Sequence, residues 1–400
     1  MAHKIMSTHS ADGPRALTAL SGLGVISALG TFSFLPLVVS QAIAQLGMSP
    51  RAAGLLATAE MAASGAATFL ASFVVHRTDR RRLSLLGLCL IAVGSAISMV
   101  VGHFAVMALG RVVTGLGEGG LLAAVIASMA GTRLPERNYG IWTIANMAAA
   151  SLLLYMVMPV VMARWGIEGV FAAYLLLSLP GFALLSWYPD NVSAPGTAHV
   201  AESPAGRAGA AVILCLVAIL LAHLAHGGIW AYMARFGDAS GLAATATAHA
   251  LGFAAFAGLL GGIGVTLLGT RYGRIWPNTA ALALSAVSAL LVATAHTPAV
   301  FVAAAMCFYL AWVFGLPYLM GIASALDSQG RAATLGIVMQ NVGLAAGPAA
   351  AGALAAVFQY RAVARIGFVL YLLALIIAVP LARHLDRAEI KSVDEDRAPA

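Results

Sequence analysis

Three ionisable side chains stand inside otherwise apolar stretches: Glu60, Arg111 and Glu118. A charge in such surroundings needs a partner or water. A carboxylate whose partner comes and goes can take up and release a proton, and a guanidinium competes with that proton for it. The same residues also fit a static charge pair that fixes helix packing. A second set, His223, His226, Gly227 and Trp230, recurs at i, i+3, i+4 and i+7 and so shares one helical stripe. Neutral imidazole can hydrogen-bond a polar solute and protonated imidazole can pair with a carboxylate; the plainer reading is a histidine bonded to a neighbouring helix. No acid or cysteine lies near this HxxH spacing, so neither metal nor cofactor is expected. Asn146, Tyr155, Gln340 and Asn341 add polar groups that demand partners. Trp312 and Tyr318 flank Pro317 and can stack on a ring-bearing solute, while His249 reads as structural.

The elements that hold these residues follow from composition. Of the 400 residues 61% are hydrophobic and 9% charged, and the mean hydropathy is +0.92. Such a chain belongs in a membrane, which excludes a soluble enzyme domain. The net charge of +7 comes from basic residues that are single or in short loop clusters, a pattern that fits cytoplasmic loops and not nucleic acid. Cys89, Cys215 and Cys307 each lie in an apolar run and imply no disulfide or zinc framework. The polar start is not a cleavable signal, so the first apolar stretch is expected to stay in the membrane.

Charge and proline divide the chain into twelve apolar segments near 16–42, 52–75, 83–102, 104–130, 139–163, 167–187, 209–234, 244–269, 276–295, 298–325, 333–358 and 362–382. The runs are continuous, and a lipid-exposed backbone must satisfy its own hydrogen bonds, so they are helices and not barrel strands. With a cytoplasmic N-terminus, sixteen Lys and Arg fall on the inner side and five on the outer. Both termini are then cytoplasmic. Trp165, Trp187 and Trp276 fall near segment ends as interfacial anchors. Glu60 and Arg111 come to similar depth, about nine and seven residues from the outer surface, and Glu118 lies about 10 Å further along the helix of Arg111. A charge at that depth costs about 2.5–3.5 kcal/mol on insertion scales.

The chain also repeats itself. Ile126-Ala127-Ser128 with Gly140-Ile141 returns as Ile322-Ala323-Ser324 with Gly336-Ile337 at an offset of 196. The RxxR of Arg77 to Arg80 returns as Arg271 to Arg274 at an offset of 194. Six segments per half make the repeat parallel, with its axis along the membrane normal. The expected organisation is an N-terminus 1–15, a six-helix bundle 16–188, a linker 189–208, a second bundle 209–382 and a tail 383–400.

Arg111-Val-Val-Thr-Gly115-Leu-Gly117-Glu118-Gly119 in the fourth segment resembles the RxxxGxGxG pattern of major facilitator superfamily (MFS) transporters. The loop His76-Arg77-Thr78-Asp79-Arg80-Arg81-Arg82 is similar to that superfamily's DRxGRR loop, with His76 in place of Asp and Asp79 in place of Gly. Thr270 to Arg274 keeps RxGR without the acid. The resemblance implies an all-α polytopic fold and secondary active transport of a small organic solute by alternating access. The seventh segment would line the central cavity, making the His223 stripe a solute face. Glu60, Glu118 and Arg111 would handle a coupling proton, and Arg77, Asp79, Arg80, Arg81, Arg271 and Arg274 would gate the cytoplasmic side, beyond their simpler role as topology determinants at anionic lipid. The fifth segment lacks the Gly-Pro motif of drug antiporters, which weakens the efflux-pump reading; Arg111, His223 and His226 lean toward an organic anion, with import and export both open. A non-transporting enzyme or sensor is the rival class, but the chain carries no HExxH cluster, nucleotide loop or signalling domain. The expected partners are solute, proton and membrane lipids, for a monomer in a bacterial inner membrane.

Overall fold

The computed structural model describes residues 12–100, 103–189, 209–269, 271–327 and 331–397. The first eleven residues and almost all of the expected linker lie outside these. The described residues form helices and their connections, with no strand among them. In chain order the helices are α1 Pro14–Ala28, α2 Leu35–Leu46, α3 Pro50–Val74, α4 Arg80–Ser98, α5 Phe104–Ala130, α6 Pro135–Leu152 and α7 Met158–Leu184. They continue as α8 Ala210–Ala231, α9 Met233–Ala239, α10 Ala244–Leu268, α11 Ile275–Thr294, α12 Pro298–Leu326, α13 Arg331–Phe358 and α14 Tyr360–Arg397.

Ten helical runs among the described residues are long and apolar enough to cross a bilayer. Two breaks account for the difference from twelve segments. The first crossing is interrupted by a π-helical turn, Leu29–Ser33, which leaves two pieces of 15 and 12 residues. The fifth and sixth form one continuous run from Arg137 to Trp187. Within that run Gly166 sits at φ 55°, where a residue with a Cβ is strained, and this marks the turn between two crossings. A second π turn, Leu153–Val157, lies in the fifth crossing. The tail does not leave the fold where the apolar run stops: α14 continues to Arg397, because no glycine or proline follows Pro380 until Pro399.

Trp165, Trp187 and Trp276 are exposed, as interfacial residues should be. Contacts divide the chain into two units. The first holds Met1–Val38, Ala59–Ala150 and Val161–Val200; the second holds Val39–Thr58, Ser151–Val160 and Ala201–Ala400.

In the first unit the glycines of the fourth crossing work as contact surfaces. A Cβ on Gly115 would fall on the Glu60 carbonyl oxygen and one on Gly119 on the Ser64 carbonyl oxygen, so this pair lies against α3. Gly117 lies against the Gly87 carbonyl on α4. Small residues permit such approach where no hydrophobic drive brings helices together in lipid. In the second unit α8 packs on α13, α10 on α12 and α11 on α14.

Candidate functional site

The approach of α3 to α5 brings Glu60 and Arg111 together. Arg111 Nη1 donates to Glu60 Oε1 at 3.0 Å, with both side chains about 2% exposed or less. The rest of the guanidinium is also engaged. Nε donates to Ser98 Oγ at 2.9 Å and Nη2 to Thr114 Oγ1 at 3.1 Å. Each hydroxyl gives its own hydrogen to the carbonyl four residues back, Ser98 to Gly94 and Thr114 to Gly110, so its oxygen is left to accept. The Phe171 ring lies 4.5 Å from the guanidinium carbon.

Glu118, two turns along α5, is fully buried and contacts a different group. Its Oε1 is 2.5 Å from the Tyr174 hydroxyl, and that hydroxyl is also 2.9 Å from the Ile26 carbonyl oxygen. Gly30 leaves the room: a Cβ there would meet both Tyr174 and Glu118. On α6, Asn146 Oδ1 and Trp142 Nε1 are buried one turn apart and have no hydrogen-bond partner among the described residues.

The second unit holds the histidine stripe in its interior. The His226 ring is stacked between Phe308, at 4.6 Å and 4° between planes, and Trp312, at 4.4 Å and 16°. Its Nδ1 is 3.4 Å from the Tyr371 hydroxyl. Trp230 packs on Tyr309 and is fully buried. His223 Nδ1 is 2.7 Å from the Ile219 carbonyl oxygen.

The other expected solute contacts are scattered. Tyr155 is exposed and its ring packs on His249 and Phe253. Tyr318 donates to the Gly269 carbonyl at 2.9 Å, closing the end of α10. Gln340 is half-buried and Asn341 exposed on α13.

The loop arginines expected to gate the cytoplasmic side divide by loop. Asp79 caps α4 by accepting from the amides of Arg81 and Arg82, and it pairs with the Arg82 side chain. Arg80 Nη1 donates to the Ala127 carbonyl at 3.1 Å. Arg77, Arg81 and Arg271 are exposed. In the second loop the missing acid comes from the tail: Asp386 accepts from the backbone amides of Arg274 and Ile275 at 2.9–3.1 Å and pairs with the Arg274 side chain. Gly273, at φ 67°, lies where a Cβ would strike that carboxylate.

Sequence reasoning passed over Ser98, Thr114, Tyr174, Trp142 and Asp386. It also missed Thr58, whose hydroxyl donates to the Ala345 carbonyl at 2.7 Å and accepts from the Ala349 amide at 3.0 Å. Those are the two groups an α-helix would join directly.

Tyr232 donates to the Pro50 carbonyl oxygen in the same region. Asp238, on the short α9, pairs with Arg235 at 3.0 Å and accepts from Ser40. Burial raises its carboxyl above the usual range, with Arg235 acting in the opposite sense.

The sequence profile of the Major Facilitator Superfamily matches residues 20–335, and the chain belongs to that family. No curated protein matches it. Among solved structures it is similar to one of the proton dependent oligopeptide transporters, at 14% identity and TM-score 0.71, over 93% of this chain and 99% of that one. It is also similar to the nucleoside transporter NupG, at 11% identity and TM-score 0.72, with the same shares covered. The protein is therefore a multi-pass membrane transporter, not an enzyme, with the all-α fold of the MFS transporters.

Proposed function

We propose that the protein is a proton-coupled secondary transporter that moves a small organic anion by alternating access. It works as a monomer in a bacterial inner membrane with both termini cytoplasmic, and its two bundles run from 16 to 188 and from 209 to 382. The observation that carries the coupling is the Tyr174 hydroxyl, which has one hydrogen and two oxygens within reach. A proton on Glu118 resolves the count: the acid donates to Tyr174, and Tyr174 donates to the Ile26 carbonyl. Glu60 stays ionised beside Arg111. On this reading Glu118 carries the coupling proton and Glu60–Arg111 is the charge pair beside it.

The preference for an anion follows from charge. With Glu118 protonated, the set Glu60, Arg111 and Glu118 is neutral; without the proton it is one unit negative. Proton and anionic solute then favour each other's binding, which is symport. The unpartnered donor of Trp142 and acceptor of Asn146 suit polar groups on the solute. The exposed arginines of the two loops, Arg77, Arg81 and Arg271, suit anionic lipid headgroups.

The test uses proteoliposomes with a pH gradient and a panel of labelled organic anions. Glutamine at 118 imitates the protonated acid, so Glu118→Gln should keep solute exchange at zero gradient while losing gradient-driven accumulation. Accumulation at the wild-type level would remove Glu118 from the proton path.

A further inference from the structure

The second unit contains a cavity of about 20 Å³ between α8, α11, α12 and α14. Its walls are mainly Ala, Leu and Gly, and its polar residues are His223, Ser285, Trp312 and Tyr371. His223 is 2% exposed. Its Nδ1 lies 2.7 Å from the Ile219 carbonyl oxygen. A carbonyl can only accept, so Nδ1 carries the hydrogen, and in the neutral ring Nε2 is a bare lone pair. Nε2 has no hydrogen-bond partner among the described residues.

We propose that this cavity is a binding site for one water molecule, held by donation to His223 Nε2 and completed by the Ser285 and Tyr371 hydroxyls. The space exceeds the roughly 10–15 Å³ that a water centre needs, and three polar groups are within the two to four that hold a buried water. The chemistry excludes other occupants. An anion has no hydrogen to give to Nε2. A metal cation would meet no acid or thiolate, since the lining has none. The titratable groups beside His223 are His226 on its own helix and Tyr371 on α14, so an imidazolium here would have no anionic counterpart in the cavity wall. The site therefore selects a single uncharged donor. Through it α8, α11 and α14 are joined by a polar bridge, beside the contact that Tyr371 makes with His226 Nδ1. His223 then has no part in holding an anionic solute, and that role falls to the first unit.

The water site is independent of the transport reading and is tested without a substrate. In full-length protein carrying ¹⁵N-histidine in lipid nanodiscs, His223→Gln identifies the signals of His223. The expected spectrum is a neutral ring protonated at Nδ1, with Nε2 shifted as a hydrogen-bond acceptor and a cross-peak to a water held in place. Ser285→Leu fills the cavity without touching the imidazole and should abolish the cross-peak; Ala281→Leu does the same from a second wall if the first variant folds poorly. A bare or protonated Nε2, or a cross-peak that survives both filling variants, overturns the assignment.

Discussion

The two units solve the problem of polar groups in a membrane in opposite ways. In the first, the buried Arg111–Glu60 pair is formally charged and its guanidinium is saturated by direct bonds: Arg111 binds Glu60, Ser98 and Thr114 and lies against Phe171. In the second, the His226 ring is held by ring faces, stacked on Phe308 and on Trp312. A charged set can change its net charge when a proton arrives and so respond to a gradient. A stacked set holds shape through contact area and responds to a change of volume. On the proposed reading energy coupling belongs to the first unit and packing to the second, and substitutions can test that division.

The largest effect is expected at Glu60. Removing one partner of a buried ion pair leaves the other charge uncompensated, at a cost of about 3–5 kcal/mol. Glu60→Gln should therefore lower the thermal unfolding temperature in detergent sharply and abolish uptake. Adding Arg111→Gln to it removes the stranded charge, so the double variant should recover most of the stability but none of the coupled transport. A single variant as stable as wild type would show that the pair does not hold α3 to α5.

The corresponding change in the second unit is graded by volume. His226→Ala empties the slot between Phe308 and Trp312 and should cost about 3 kcal/mol, as core ring truncations do. His226→Phe keeps a ring there and should cost less than about 1.5 kcal/mol, with uptake retained. If the phenylalanine variant folds normally but loses gradient-driven uptake, the imidazole nitrogens matter and the contrast between units fails.

How far these regions were legible in the sequence differs in the same way. Charges inside apolar runs announce themselves, and counting residues from the surface brought Glu60 and Arg111 to one depth. Their hydroxyl partners could not be read, because Ser98, Thr114 and Tyr174 are ordinary residues for a membrane helix and only helix pairing selects them. The i, i+3, i+4, i+7 spacing placed His223, His226 and Trp230 on one stripe, but such a pattern fixes a common face and not the neighbour that face meets. Here the neighbours are α12 and α14. Tyr155 illustrates a further limit. The π turn at Leu153–Val157 adds a residue to the turn and rotates the rest of the helix by roughly 100°. Periodicity alone does not show such a turn, and Tyr155 ends up exposed. The helices themselves were legible, because an apolar run in lipid has no other structure open to it, whereas Asp386 looked like one more tail acid.

A smaller effect is expected at Thr58, whose hydroxyl stands between Ala345 and Ala349. Thr58→Val keeps the shape and removes the bridge. Because the two backbone groups can then pair with each other, the loss should be near 1 kcal/mol, about a fivefold change in the population of the closed contact. With the native cysteines replaced, Ala53→Cys is fully buried on α3 and should react several-fold faster with a polar maleimide when Thr58 is valine. An unchanged rate would mean that neighbouring contacts, Gly54 on Pro348 and Gly352 on Pro50, keep this region shut without the hydroxyl.

An effect of similar size, falling to a few tenths of a kcal/mol for the conservative variant, separates the two arginine loops. Asp79 caps the helix immediately after it, in an exposed position, so its bonds are local. Asp386 reaches across 112 residues to the amides at the start of α11 and ties the end of α14 to the loop. Asp386→Ala should cost about 1 kcal/mol, in the range of a lost helix cap, and should speed hydrogen exchange at the Arg274 and Ile275 amides. Asp386→Asn, which still accepts from those amides, should cost only a few tenths. Asp79→Ala should speed exchange at Arg81 and Arg82 alone, because no other element depends on that carboxylate. If Asp386→Ala leaves the α11 amides as protected as before, the tail is a passenger on the second loop, and the two loops differ in sequence but not in how they are held.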